Sequence, residues 1–97
     1  MVDRPLFIPL KTEWFDAFER GTKNIEYRPY GPRWNERTCA IGRPVVLSHG
    51  YGKRRRLRGT VAAFNVVGPD ASPAIRKVYP TGDRFAAIGI EVERAAA

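Results

Sequence analysis

Apolar and polar residues alternate in short blocks along this chain, and each block carries its own period. Leu6–Leu10 (LFIPL) is an almost continuous apolar run, the pattern of a short buried strand. Pro9 cannot donate a ladder hydrogen bond, so that strand belongs at a sheet edge or ends there. Trp14, Phe15 and Phe18 then fall at helical spacing and make one apolar face. Thr12 stands where an N-cap is expected, Glu13 and Asp16 occupy the first turns, and Gly21 is placed for a left-handed stop. These signals predict an amphipathic helix over 12–20. Residues 23–28 (KNIEYR) read as a strand, with Ile25 and Tyr27 on one face and Glu26 and Arg28 on the other.

The segment 29–44 is broken by Pro29, Gly31, Pro32, Gly42 and Pro44, and is expected to be irregular, with one helical turn around 34–37. Pro44–His49 (PVVLSH) predicts a strand, Gly50-Tyr51-Gly52 a turn, and Arg56–Val67 a second strand in which Gly59 predicts a bulge. A short helix is expected near 74–78, between Pro73 and Pro80. The last strand, 85–93, places Ile88, Ile90 and Val92 inward and Glu91 and Glu93 outward, and 95–97 is expected to fray. Short strands, an early helix and a central hairpin predict an α+β fold, a small mixed β-barrel with one N-terminal helix and one or two further short helices. At 97 residues, without repeat or linker, residues 1–97 make a single domain.

Composition narrows the function. Hydrophobic residues make up 43%, too many for a disordered chain, and no apolar run approaches the roughly 20 residues that span a bilayer. The first residues lack a signal-peptide core, so a cytoplasmic location is expected. Cys39 is the single cysteine, which excludes an intrachain disulfide and a Cys-rich zinc site. It reads as a small packed residue, with a nucleophilic pair to His49 as the alternative. Seventeen Lys and Arg face ten Asp and Glu, a net charge of +7, and a domain this basic favours nucleic acid.

The cations cluster. Lys53, Arg54, Arg55, Arg56 and Arg58 fall within six residues, where phosphate binding is the natural use and a solvated charge run the alternative. Tyr27, Tyr30, Trp34 and Tyr51 lie among basic residues and are candidates for stacking on bases of single-stranded RNA, whereas Trp14 and Phe18 read as core. His49, the single histidine, suits a general base near neutral pH or a neutral structural role. With no HExxH, phosphate loop or GxGxxG, no cofactor is expected. A loosely held divalent ion on Glu26 is the one metal option left.

Gly21-Thr22-Lys23-Asn24-Ile25-Glu26-Tyr27-Arg28 matches GxKxxExR directly after a strand and a short helix. In that context it resembles the ASCH family of the PUA-like superfold. Pro9-Leu10-Lys11 before Trp14-Phe15-Asp16-Ala17, the Gly50-Tyr51-Gly52-Lys53 turn and the closing strand extend the resemblance over the whole chain. The resemblance implies a cleft beside the barrel lined by Lys23, Glu26 and Arg28, and RNA as the partner. It implies either an RNA-binding module or a small enzyme with those three as catalytic residues: a ribonuclease, or a hydrolase of a modified nucleoside. A pocket that reads a modified nucleotide is the third reading. The amidohydrolases of the family carry a nucleophilic Thr where this chain has Glu26, so only Gly21, Lys23 and Arg28 match them. Asp70 and Asp83 are the only carboxylates in the region where their catalytic acid lies. By the residues alone, Glu26 and Arg28 share a strand face and suit a charge-assisted pair, and Lys23 is expected to curl towards them from the strand start.

Overall fold

The computed structural model describes residues 4–94, so the expected fraying of 95–97 lies outside it. Strand β1 (Leu6–Leu10) leads into helix α1 (Thr12–Arg20) and strand β2 (Ile25–Pro29). After an irregular segment come β3 (Pro44–His49), β4 (Arg56–Val67), a 3-10 turn (Pro69–Ala71), helix α2 (Pro73–Val78) and β5 (Phe85–Val92). The five strands form one mixed sheet in the order β1-β3-β4-β5-β2. β1 runs parallel to β3, and the other neighbours are antiparallel. The sheet curls into a half-barrel, with β1 and β2 as its two edges. Among the described residues no ladder closes it. The Arg28 guanidinium instead reaches across and donates from Nη2 to the Pro9 carbonyl at 2.7 Å.

Helix α1 buries Phe15 and Phe18 against Ile8, Val45, Leu47, Val61 and Ile88. Each large apolar side chain buried in this way contributes about 1.5–3 kcal/mol. Gly21 ends the helix at φ 82°, the left-handed conformation expected of it. Thr12 is not the N-cap. Lys11 holds that position without a side-chain cap, and Thr12 Oγ1 shares a 2.7 Å hydrogen bond with His49 Nε2 instead.

Pro9 sits in an edge strand, where its missing N–H costs no sheet partner. The bulge in β4 falls between Val61 and Ala63, not at Gly59. Gly59 answers a different need: a Cβ there would run into the Glu91 carbonyl of β5. No helix forms at 34–37. Asn35 organises the loop, accepting from the N–H groups of Arg37 and Thr38 through Oδ1 and from Cys39 N–H through its carbonyl.

Strand β5 buries Phe85, Ala86, Ala87 and Ile88 in succession before alternation returns at Ile90 and Glu91. Both faces are covered at that end, with Tyr79, just past α2, laying its ring 5.6 Å from Phe85. No helix among the described residues is long and apolar enough to cross a membrane.

Candidate functional site

Strand β2 has an inverted pattern. Cross-strand partners share a face, and Glu26 pairs with Ile88 and Arg28 with Ala86, both core residues. The charged face of β2 therefore points into the barrel, and Ile25 is the exposed one. Glu26 is only 8% exposed. Its cost of desolvation is offset by two cations: Arg28 Nε lies 3.0 Å from Oε2 and Lys23 Nζ 3.5 Å from Oε1. Lys23 reaches it because the chain turns tightly after Gly21, where the Thr22 and Lys23 N–H groups both donate to the Ala17 carbonyl. Lys23, Glu26 and Arg28 thus converge on one point despite their mixed strand parity.

Both cations are held in place. The Lys23 ammonium stands over the rings of Trp14, Phe18 and Tyr27 at 5.1, 5.5 and 5.8 Å and donates to the Ile25 carbonyl. The Arg28 guanidinium lies 5.1 Å from the Trp34 ring while binding Glu26 and Pro9. These contacts leave the trio little freedom, and it carries one net positive charge.

The trio forms the floor of a cavity of about 360 Å³ between the end of β1, the start of α1, β2 and α2. Leu10, Trp14, Tyr27, Ile75, Val78 and Tyr79 supply mostly apolar walls, and Lys11 and Tyr51 stand at the edge. The Tyr79 hydroxyl donates to the Tyr27 carbonyl at 3.3 Å. Burial pushes the pKa of that hydroxyl up, with Arg28 opposing and Glu26 adding to the rise, so it stays a donor at neutral pH. Tyr79 and α2 were not legible as site elements. The signal was the apolar grouping of Ile75, Val78 and Tyr79 in and just past α2.

The other candidate residues scatter. Tyr51 is 80% exposed at the mouth and tilts against Phe7 at 6.2 Å. Trp34 does not serve as a stacking platform: it is 7% exposed and packs in the core under Arg28 and Arg33. Tyr30 lies outside the cavity, its hydroxyl donating to Glu36 at 2.6 Å and its ring covered by Arg84 at 4.4 Å. His49 does not line the cavity either. It ties the end of β3 to α1 through Thr12 and tilts against Phe15 at 5.9 Å. Cys39 is fully buried and its thiol pKa is raised by burial, the reverse of an activated nucleophile.

The basic run divides. Arg55 donates from Nη2 to Asp16 at 3.0 Å and Glu19 at 2.9 Å and lies over Phe15, so it ties the hairpin to α1. Arg56 is half committed, to the Gly52 carbonyl and the Phe7 ring. Lys53, Arg54 and Arg58 are exposed and make no ion pair with a described residue. Arg58 pairs with Val46, which pairs with Phe7, so it lies on the outer face of the sheet.

Among the described residues, no three His, Cys, Asp or Glu side chains gather to hold a metal. A divalent ion on Glu26 would meet the two positive charges already there. Asp70 and Asp83 do not line the cavity. No protein-family model and no curated protein matches the chain.

Proposed function

We propose that this protein is an RNA-binding domain of ASCH type, with a PUA-like barrel, that draws one base of a single strand into the cavity beside β2. The observation that carries this reading is the cavity itself. Its aromatic and apolar walls suit the faces of a base, and its floor offers an acceptor, Glu26, between donors on Lys23 and Arg28. Its volume matches a nucleoside rather than a polymer segment. The exposed Tyr51 and the free cations of the hairpin supply stacking and phosphate contacts outside.

Titration of the purified protein with short single-stranded RNA, followed by tryptophan fluorescence, tests this. Trp14 lines the cavity, so its emission should change on binding. Tyr27→Leu should weaken affinity about 10-fold, within the roughly 1–3 kcal/mol that one stacked base contributes. Binding that leaves fluorescence untouched and ignores Tyr27→Leu would place RNA elsewhere on the surface.

One feature favours chemistry at the same site. Two fixed cations flank a carboxylate on the cavity floor, as stabilisation of a developing negative charge requires. In this second reading the enzyme cleaves RNA or hydrolyses a modified nucleoside, with Lys23 stabilising charge, Glu26 moving the proton and Arg28 orienting it. Glu26→Gln should then lower turnover about 10²–10⁴-fold while affinity holds. Equal turnover in the variant would remove Glu26 from any mechanism, and absence of product from the parent protein would leave the binding reading alone.

A further inference from the structure

Exposed cations lie on both elements that flank the cavity at its opening, the hairpin and α2. Gly50 and Tyr51 border the cavity on the hairpin side, separated by Gly52 from Lys53 and Arg54. On the other side α2 presents Ala74, Ile75 and Val78 to the cavity. Lys77 and Arg76 stand off that face, and Arg76 brings its guanidinium round to the carbonyl of Tyr79, itself a cavity-lining residue, at 3.3 Å. Both are exposed, and neither makes an ion pair with a described residue. Cations in a last turn complement the helix dipole. In a helix of six residues that gain is small, and two unneutralised charges here also add to the repulsion within a chain of net charge +7.

We propose that a single strand crosses the cavity mouth from the hairpin to α2, so that the site takes an internal nucleotide, held by phosphate contacts on both sides of the inserted base. This rests on the RNA-binding reading above and adds Arg76 and Lys77 to it as the second phosphate bank. A free nucleoside monophosphate engages one bank at most. An oligonucleotide with the inserted base at its centre engages both, and one with that base at its end loses a bank. The site therefore discriminates by position in the strand as well as by base.

The test compares the parent with R76E/K77E and with R76Q/K77Q, using fluorescently labelled single-stranded RNA octamers and a nucleoside monophosphate. Both variants alter exposed side chains, and the neutral pair guards against misfolding caused by charge reversal. Each lost contact should flatten the salt slope by about 0.7, so raising salt four-fold should cost the neutral variant about 7-fold less affinity than it costs the parent. Binding of the monophosphate, which engages one bank at most, should lose less of its salt dependence than octamer binding does. A parent-like slope in both variants, with RNA still bound, would overturn the second bank alone. Failure of the parent to bind any octamer would instead overturn the RNA reading and this inference with it.

Discussion

Single residues in this protein do work that their types do not announce. Tyr79 looks like a loop aromatic beside Pro80, yet it lines the cavity and its half-buried hydroxyl donates to the Tyr27 carbonyl. Trp34 looks like a solvent-facing ring between Arg33 and Asn35, yet it is a shelf for Arg28. Neither follows from local pattern, because both depend on contacts between elements distant in sequence. The buried groups make a prediction about alkali. The Cys39 thiol and the Tyr79 hydroxyl both have raised pKa values, chiefly from burial, above ordinary values of 9.0 and 10.0. Above those values the unfolded chain loses protons that the folded chain keeps, so stability falls as pH rises towards the folded pKa values. Unfolding in urea should show a constant midpoint from neutrality to about pH 8.5, below both ordinary values, and then a decline. Tyr79→Phe should remove part of the decline above pH 10.0. An identical alkaline slope in that variant would show that the hydroxyl ionises as freely in the folded protein as in the unfolded one.

Elements were far more legible than contacts. The helix over 12–20, the strands Pro44–His49 and Arg56–Val67 and the short helix before Pro80 all stand where apolar period and Gly or Pro punctuation put them. Details set by packing were not legible: the register of β4 against β5 shifts at Val61/Ala63, and the signal at Gly59 came from a close backbone approach. The basic run shows the same limit. Its composition marks all five cations alike, but α1 offers Asp16 and Glu19, three residues apart on one helix face, and Arg55 takes them both. Arg55→Ala should therefore loosen the hairpin from α1, seen as faster amide exchange at residues 50–56 and a lower Tm, while the salt slope of RNA binding stays at the parent's value. Arg54→Ala should do the opposite, flattening the slope by about 0.7 and leaving exchange unchanged. Exchange of these two outcomes between the variants would mean that Arg55 leaves its carboxylates to meet phosphate.

For the molecule as a whole, the half-barrel and the site are closed by the same side chain. β1 and β2 are edges with no ladder between them, and the Arg28 fork spans the gap, giving Nε to Glu26 and Nη2 to Pro9. The GxKxxExR pattern marked Arg28 as a site residue, but an arginine in a motif carries no sign that it also joins sheet edges. A lysine keeps the charge yet offers one ammonium where two separated donors are needed. Arg28→Lys should thus preserve the pairing with Glu26 and lose the bond to Pro9. A hydrogen bond to a charged group contributes about 1.5–3 kcal/mol, so the variant should unfold at lower urea and exchange its β1 and β2 amides faster than those of β4 and β5. If the cavity takes a base as proposed, that base would touch both edges, because Pro9, Leu10, Glu26 and Arg28 all line it. A bound base should therefore recover part of the lost protection at β1 and β2, and saturating RNA should raise the Tm of Arg28→Lys by at least as much as that of the parent. If the variant loses protection evenly over all five strands, Arg28 is an ordinary stabilising residue, and the fold does not depend on that seam.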